Sequence, residues 1–93
     1  MKRIEFSEQA KADIRSIPRP TAMQILTAIH RLAETGAGDI KALKGQDGEK
    51  RLRVGDFRVR FTEQRGNEEE SEGRQAEGVI QIHTVRNRKD AYR

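Results

Sequence analysis

Arg51, Arg53, Arg58 and Arg60 fall within the eleven residues "RLRVGDFRVRF", each separated from the next by apolar or turn residues. A guanidinium is a lasting cation with a planar fork of donors, suited to gripping a phosphate or carboxylate through two parallel hydrogen bonds. Gly55-Asp56, set between two alternating runs, signals a two-residue hairpin, and glycine in first place suits a type II′ turn. The turn fixes a register in which Val54 faces Phe57, Arg53 faces Arg58, Leu52 faces Val59 and Arg51 faces Arg60. The side-chain period of two then sends Leu52, Val54, Phe57, Val59 and Phe61 to the core and all four arginines to the other face. Directly opposed like charges weaken a sheet, in which favourable cross-strand pairs contribute ~0.2–1 kcal/mol. An anion-binding face is the expected reason for tolerating them; the plain alternative is a solvated face that happens to be basic.

The strand pattern "VIQIHTV" (79–85) supplies a second reactive side chain. If Ile80 and Ile82 point to the core, Gln81 and His83 join the arginine side, where an imidazole can exchange a proton near neutrality. If Val79 and Val85 point inward instead, His83 is an ordinary half-buried residue. The ending "RNRKDAYR" adds a polar, basic tail. His30 and His83 stand far apart and have no metal-ligand spacing, and the absence of cysteine excludes disulfides, thiolate zinc sites and cysteine nucleophiles.

The elements that position these residues follow from the chain's patterning. "KRIEF" (2–6) alternates as a short strand with Ile4 and Phe6 on one face. Ser7 caps a helix that carries Glu8 in its first turn and Ala10, Ile14 and Ile17 at helical spacing. Pro18 and Pro20 end this helix and begin another, whose stripe is Ile25, Leu26, Ile29, Leu32 and Ala33, closed by Gly36 and Gly38. Residues 39–50 read as a connector, with Ile40 and Leu43 tucked against the core. The segment 64–78 carries two Arg and five Glu and reads as a flexible acidic hairpin loop. Its −3 against the chain's +4 leaves +7 on the remainder.

Ninety-three residues suffice for one domain, 1–93, and a composition only 33% hydrophobic, with three Phe, one Tyr and no Trp, makes a thin core. A sequence pI near 9.9 fits a nucleic-acid or acidic protein partner. The first ten residues lack the apolar run of a signal peptide, and no stretch approaches the roughly 18 apolar residues of a membrane span. The expectation is a cytoplasmic protein with no membrane contact.

"ALKG", "KRLRVGDFRVRF" and "IQIHTVRNRKDAYR" together resemble the RelE-like toxins of type II toxin–antitoxin systems, in the RelE/ParE superfamily. The resemblance covers nearly the whole chain, and "RLRVGDFRV" and "RNRKDAYR" are its most specific parts. It implies an α+β fold, a small antiparallel sheet with two N-terminal helices packed on one face. It implies a ribosome-dependent, metal-independent and cofactor-free mRNA endonuclease, in which the 2′-hydroxyl attacks the adjacent phosphate to leave a 2′,3′-cyclic phosphate. By position, Arg51, Arg53, Arg58, Arg88 and Tyr92 match the family's catalytic set, with His83 a further candidate. Lys44, Lys50, Arg60, Arg86 and Lys89 are the expected RNA-binding residues. The founding family carries lysines where this chain has Arg51 and Arg53. Guanidinium stabilises charge and is a poor base, so the proton falls to Tyr92 or His83. The implied partners are a cognate antitoxin, the ribosome and mRNA, with operator DNA reached only through the antitoxin complex. Two other readings remain: a ParE-like inhibitor of DNA gyrase, and a basic adaptor that binds nucleic acid without cutting it.

Overall fold

The computed structural model describes residues 2–43, 48–64 and 78–91. Strand β1 (Arg3–Phe6) is followed by α1 (Glu8–Arg15), α2 (Arg19–Thr35), β2 (Asp39–Ala42), β3 (Glu49–Val54), β4 (Phe57–Gln64), β5 (Val79–Asn87) and a single helical turn, α3 (Arg88–Ala91). The strands form one sheet in the order β1-β5-β4-β3-β2. It is antiparallel from β5 through β2, while β1 lies parallel to β5, so the small antiparallel sheet becomes a five-stranded mixed one. Two segments read from sequence as irregular are ordered elements. The connector begins with β2, an edge strand paired to β3, and the basic tail gives its first two residues to β5 and the next four to α3.

Local chemistry explains the helices. Ser7 Oγ accepts the Ala10 N–H at 3.0 Å, which caps α1 as expected. Pro18 stands at the N-cap of α2 and Pro20 in its first turn, where a missing N–H costs nothing. Gly36 ends α2 at φ 75°, donating its N–H to Leu32 O. Ala22, Ile25, Ile29, Leu32 and Ala33 of α2 are buried, and Leu26 lies at the margin of that stripe.

The core is one layer between the helices and one sheet face. Ala10, Ile25, Ile29, Leu32 and Ala33 meet Leu52, Val59, Phe61, Ile80, Ile82 and Val85, with Ile4, Phe6, Ile40, Val54 and Phe57 partly buried around them. The rest of β5 runs past the end of β1, and α1 covers that exposed edge. Ser7 N–H donates to Ile82 O, Ser7 Oγ–H donates to His83 O, and the Asp13 carboxylate accepts the Val85 N–H at 3.0 Å. The second sheet face, away from the helices, carries the polar side chains. The expected loop at 64–78 lies outside the described residues except at its ends, where Gln64 completes β4 and Gly78 precedes β5.

Candidate functional site

The hairpin register derived from the Gly55-Asp56 turn is the one observed: Val54 faces Phe57, Arg53 faces Arg58, Leu52 faces Val59 and Arg51 faces Arg60. Gly55 has φ 58° and Asp56 has no positive φ, the combination of a type II′ turn. Pairing with β5 extends the arrangement, since Arg58 also faces Arg86, and Arg60 faces Thr84. With β2 included, the open face reads as three ranks. The rank nearest the turn is Asp39, Arg53, Arg58 and Arg86; the next is Lys41, Arg51, Arg60 and Thr84; the third is Glu49, Thr62, Gln81 and Glu5.

Each rank handles its charge differently. Arg58 is only 8% exposed, and its Nη1 donates to Gly55 O and Phe57 O, both at 3.0 Å. Its cation is thus held by carbonyl dipoles, which leave the positive charge in place. Arg53, across from it, is exposed and forms no ion pair among the described residues. Arg86 reaches Asp13 at the sheet edge with Nε 3.8 Å from Oδ2, a long and partly solvated contact. Arg60 is the exception: its Nη2 lies 2.6 Å from Glu49 Oε1, and the Glu49 side chain is 14% exposed. The Arg60 Nε is buried without a hydrogen-bond acceptor among the described residues. Arg51 is half-buried between Lys41 and Arg60.

The remaining expected site residues fall into three groups. Arg88 and Lys89 are exposed on α3, and the Arg88 N–H donates to Asp56 O at 2.7 Å, which brings α3 to the hairpin turn beside Arg58. Lys50 does not join the arginine face. It shares the inward parity of Leu52, and its Nζ lies 3.7 Å from Glu63 Oε2, which also binds Lys2 Nζ at 3.1 Å. Tyr92 and Lys44 lie outside the described residues.

The structure takes the first alternative for β5 with part of the second: Ile80 and Ile82 point to the core, Val85 joins them, and Val79 is only half-buried. Ile80, Ile82 and Val85 are all buried, which strict alternation forbids. The register slips between Arg60 and Phe61, so that Ile82 faces Phe61 while Thr84 faces Arg60, and His83 is the additional residue. This β-bulge returns Val85 to the core and leaves His83 with the open-face residues. The His83 Nε2 lies 2.9 Å from Thr62 Oγ1.

Sequence reasoning missed the acids that serve this face. Glu49 was within reach, since carrying the alternation two residues back from Arg51 places a carboxylate on the same side. Asp39 required knowing that β2 pairs with β3, and Asp13 that α1 crosses the β5 edge. Among the described residues no cluster of three or more metal-ligating side chains occurs.

Chemically, the three arginines of the turn-proximal rank, with Arg58 oriented by the turn, form a cationic strip able to hold an anion and to stabilise negative charge that develops on it. The third rank is hydrogen-bonding and acidic.

The sequence model for the ParE toxin of type II toxin-antitoxin system, parDE, matches residues 4–92. In fold the chain is similar to the RelB-RelE antitoxin-toxin complex from Methanococcus jannaschii, at TM-score 0.67 and 22% identity over 95% of this chain and 94% of that one. It is equally similar to the archaeal RelE-RelB complex from Pyrococcus horikoshii OT3, at TM-score 0.67 and 22% identity over 94% of each chain. The intact E. coli RelBE toxin-antitoxin complex aligns at TM-score 0.66 and 13% identity, over 94% of this chain and 96% of that one. No curated protein sequence matches.

Proposed function

The chain belongs to the ParE toxin family of type II toxin–antitoxin systems, within the RelE/ParE superfamily, and on that premise we propose that it is a ribosome-dependent, metal-independent mRNA endonuclease held in check by a cognate antitoxin. The observation that carries this reading is the alignment of Arg53, Arg58 and Arg86 on three adjacent strands of one open face. Strands stand roughly 4.8 Å apart, so neighbouring guanidinium groups can engage one phosphate or two successive ones. Arg58 is already oriented by its two carbonyl contacts. A guanidinium has five N–H donors, so Arg58 retains donors beyond those it gives to the turn.

In the reaction, the 2′-oxygen forms a bond to the adjacent phosphorus as the bond from phosphorus to the 5′-oxygen breaks. The products are a 2′,3′-cyclic phosphate and a free 5′-hydroxyl. Arg51, Arg53, Arg58 and Arg88 serve to stabilise the charge that gathers on the non-bridging oxygens. One proton leaves the 2′-hydroxyl and one joins the 5′-oxygen. Tyr92 and His83 are the groups assigned to these transfers, worth about 10²–10⁴-fold in rate. Arg86 and Lys89 would steer the RNA backbone, along with Lys44.

The same face suits an antitoxin. An acidic segment laid over it would neutralise the arginines and add apolar burial to a thin core, so the toxin alone should be less stable than its complex. Operator DNA would then be met through the antitoxin. No helix among the described residues is long and apolar enough to cross a membrane; a ribosomal target implies a cytoplasmic site of action.

The test is cleavage of mRNA on programmed ribosomes, read by primer extension, for the wild type and Arg58→Gln. Cuts bearing cyclic phosphate ends, lost in the variant with ribosome binding kept, support the nuclease. A second reading, inhibition of DNA gyrase through protein contacts, is favoured by the match to a ParE model. A wild type that never cuts but blocks supercoiling by gyrase would decide for it.

A further inference from the structure

Beyond the arginines, we infer that the third rank of the open face forms a recess that reads a guanine base of the bound RNA. This rests on the RNA reading above. Glu5, Phe6 and Ser7 of the β1–α1 passage and Gln81, Ile82 and His83 of β5 line a recess of about 330 Å³. It exists because β1 ends at Phe6 and the chain turns away into α1, while β5 continues. Glu5 and Gln81 are register partners and share the open face. The bulge keeps His83 on this face beside them, one strand away from Arg60.

Two contacts lie behind the recess. The Thr62 hydroxyl donates to Gln81 Oε1 at 3.4 Å, and Thr62 Oγ1 lies 2.9 Å from His83 Nε2, which is the donor of that contact when the Thr62 proton is given to Gln81. This arrangement occupies the Gln81 carbonyl and leaves its amide N–H groups to act as donors. The Glu5 carboxylate beside it can only accept. Its one ion-pair contact among the described residues is Arg3 Nη2 at 3.8 Å, between side chains 73% and 50% exposed, which is too loose to hold it.

An amide donor next to a carboxylate is complementary to one base edge. Guanine presents O6 as acceptor beside the N1–H and N2–H donors, so O6 accepts from Gln81 while both N–H groups donate to Glu5. Adenine presents a donor where the site has a donor. Cytosine offers Glu5 an oxygen and an unprotonated ring nitrogen. Uracil supplies O4 and N3–H but sets its O2 against the carboxylate. Single-stranded RNA is read by such contacts to unstacked bases. The recess lies one or two strand spacings, roughly 5–10 Å, from the arginines, within the reach of one nucleotide whose phosphate they hold.

The test uses fluorescence anisotropy with labelled RNA pentanucleotides that carry guanosine, inosine or adenosine at the centre of a uridine background. The full-length wild type should bind the guanosine oligomer about tenfold more tightly than the adenosine one, with inosine, which lacks the N2 amino group, in between. Glu5→Gln and Gln81→Ala should each bring the three within about twofold while leaving the salt dependence unchanged. Glu8→Gln, the same charge change on the exposed face of α1, should keep the wild-type preference. Thermal midpoints confirm that each variant is folded. Equal affinities in the wild type with salt-sensitive binding intact would overturn the recess and leave the arginine strip standing. Retained guanosine preference in both recess variants would also overturn it. No binding to any oligomer would overturn the recess and the RNA reading together.

Discussion

The two ends of the open sheet face are built from the same alternating strands yet handle polarity in opposite ways. Near the hairpin turn, three successive cross-strand neighbours are alike in charge, Arg53 beside Arg58 beside Arg86, flanked by Asp39 on β2 and loosely by Asp13 on α1, and Arg58 is held by the carbonyls of Gly55 and Phe57. At the far end, neighbours are complementary: Glu49 takes Arg60, and Thr62 links His83 to Gln81. Dipoles can orient a cation without cancelling it, whereas a carboxylate cancels it. Positive charge therefore remains at one end as a consequence of which residues the register makes neighbours. Hydrogen-bonding specificity gathers at the other.

The largest expected effect strikes the layer beneath the far end. Phe61 is fully buried at the bulge, and its side chain fills the core under the register slip. Phe61→Ala should cost about 3–5 kcal/mol in urea unfolding, a large share of the stability of so small a domain. A loss under about 1 kcal/mol would mean that the bulge is not pinned by this side chain.

At the turn end the two facing arginines should separate cleanly. Arg58→Leu removes the donor to two carbonyls and should cost about 1–3 kcal/mol. Arg53→Leu, at an exposed position without an ion pair among the described residues, should change stability by no more than about 0.5 kcal/mol. Equal losses from both would erase the distinction between a positioned and a solvated arginine.

Arg53 should matter instead for binding. Arg53→Gln should lower affinity for single-stranded RNA several-fold at low salt and reduce the slope of log affinity against log salt by about 1. An unchanged slope would remove Arg53 from the phosphate-binding strip.

The smallest effect tests the cancelled charge. Glu49→Gln releases Arg60 and should tighten RNA binding by a few-fold, about 1 kcal/mol or less, because the pair is partly solvated. Weaker binding would show that Glu49 supports the face and does not mask it.

What the sequence determined by itself is whatever depends on spacing within one element. The Ser7 cap, the stripe of Ile25, Ile29 and Leu32, the type II′ turn and the facing of Arg53 with Arg58 all follow from residues within a few positions of one another. The same parity also separated the two faces of β3 and β4, and it would have placed Glu49 among the arginines and Lys50 against them had it been carried further back. The tertiary structure decided what lies across each gap. Glu63 meets Lys2 from the other end of the chain, and the Asp13 carboxylate replaces a neighbouring strand for the N–H of Val85, 72 residues away. Strict alternation allowed either Ile82 or Val85 inside; packing both against one core required the bulge that leaves His83 with the open face. Periodicity tells a side chain which way to point, but its partner is set by strand order and helix crossing. Those are fixed by burial summed over the whole domain, which no local stretch of sequence contains.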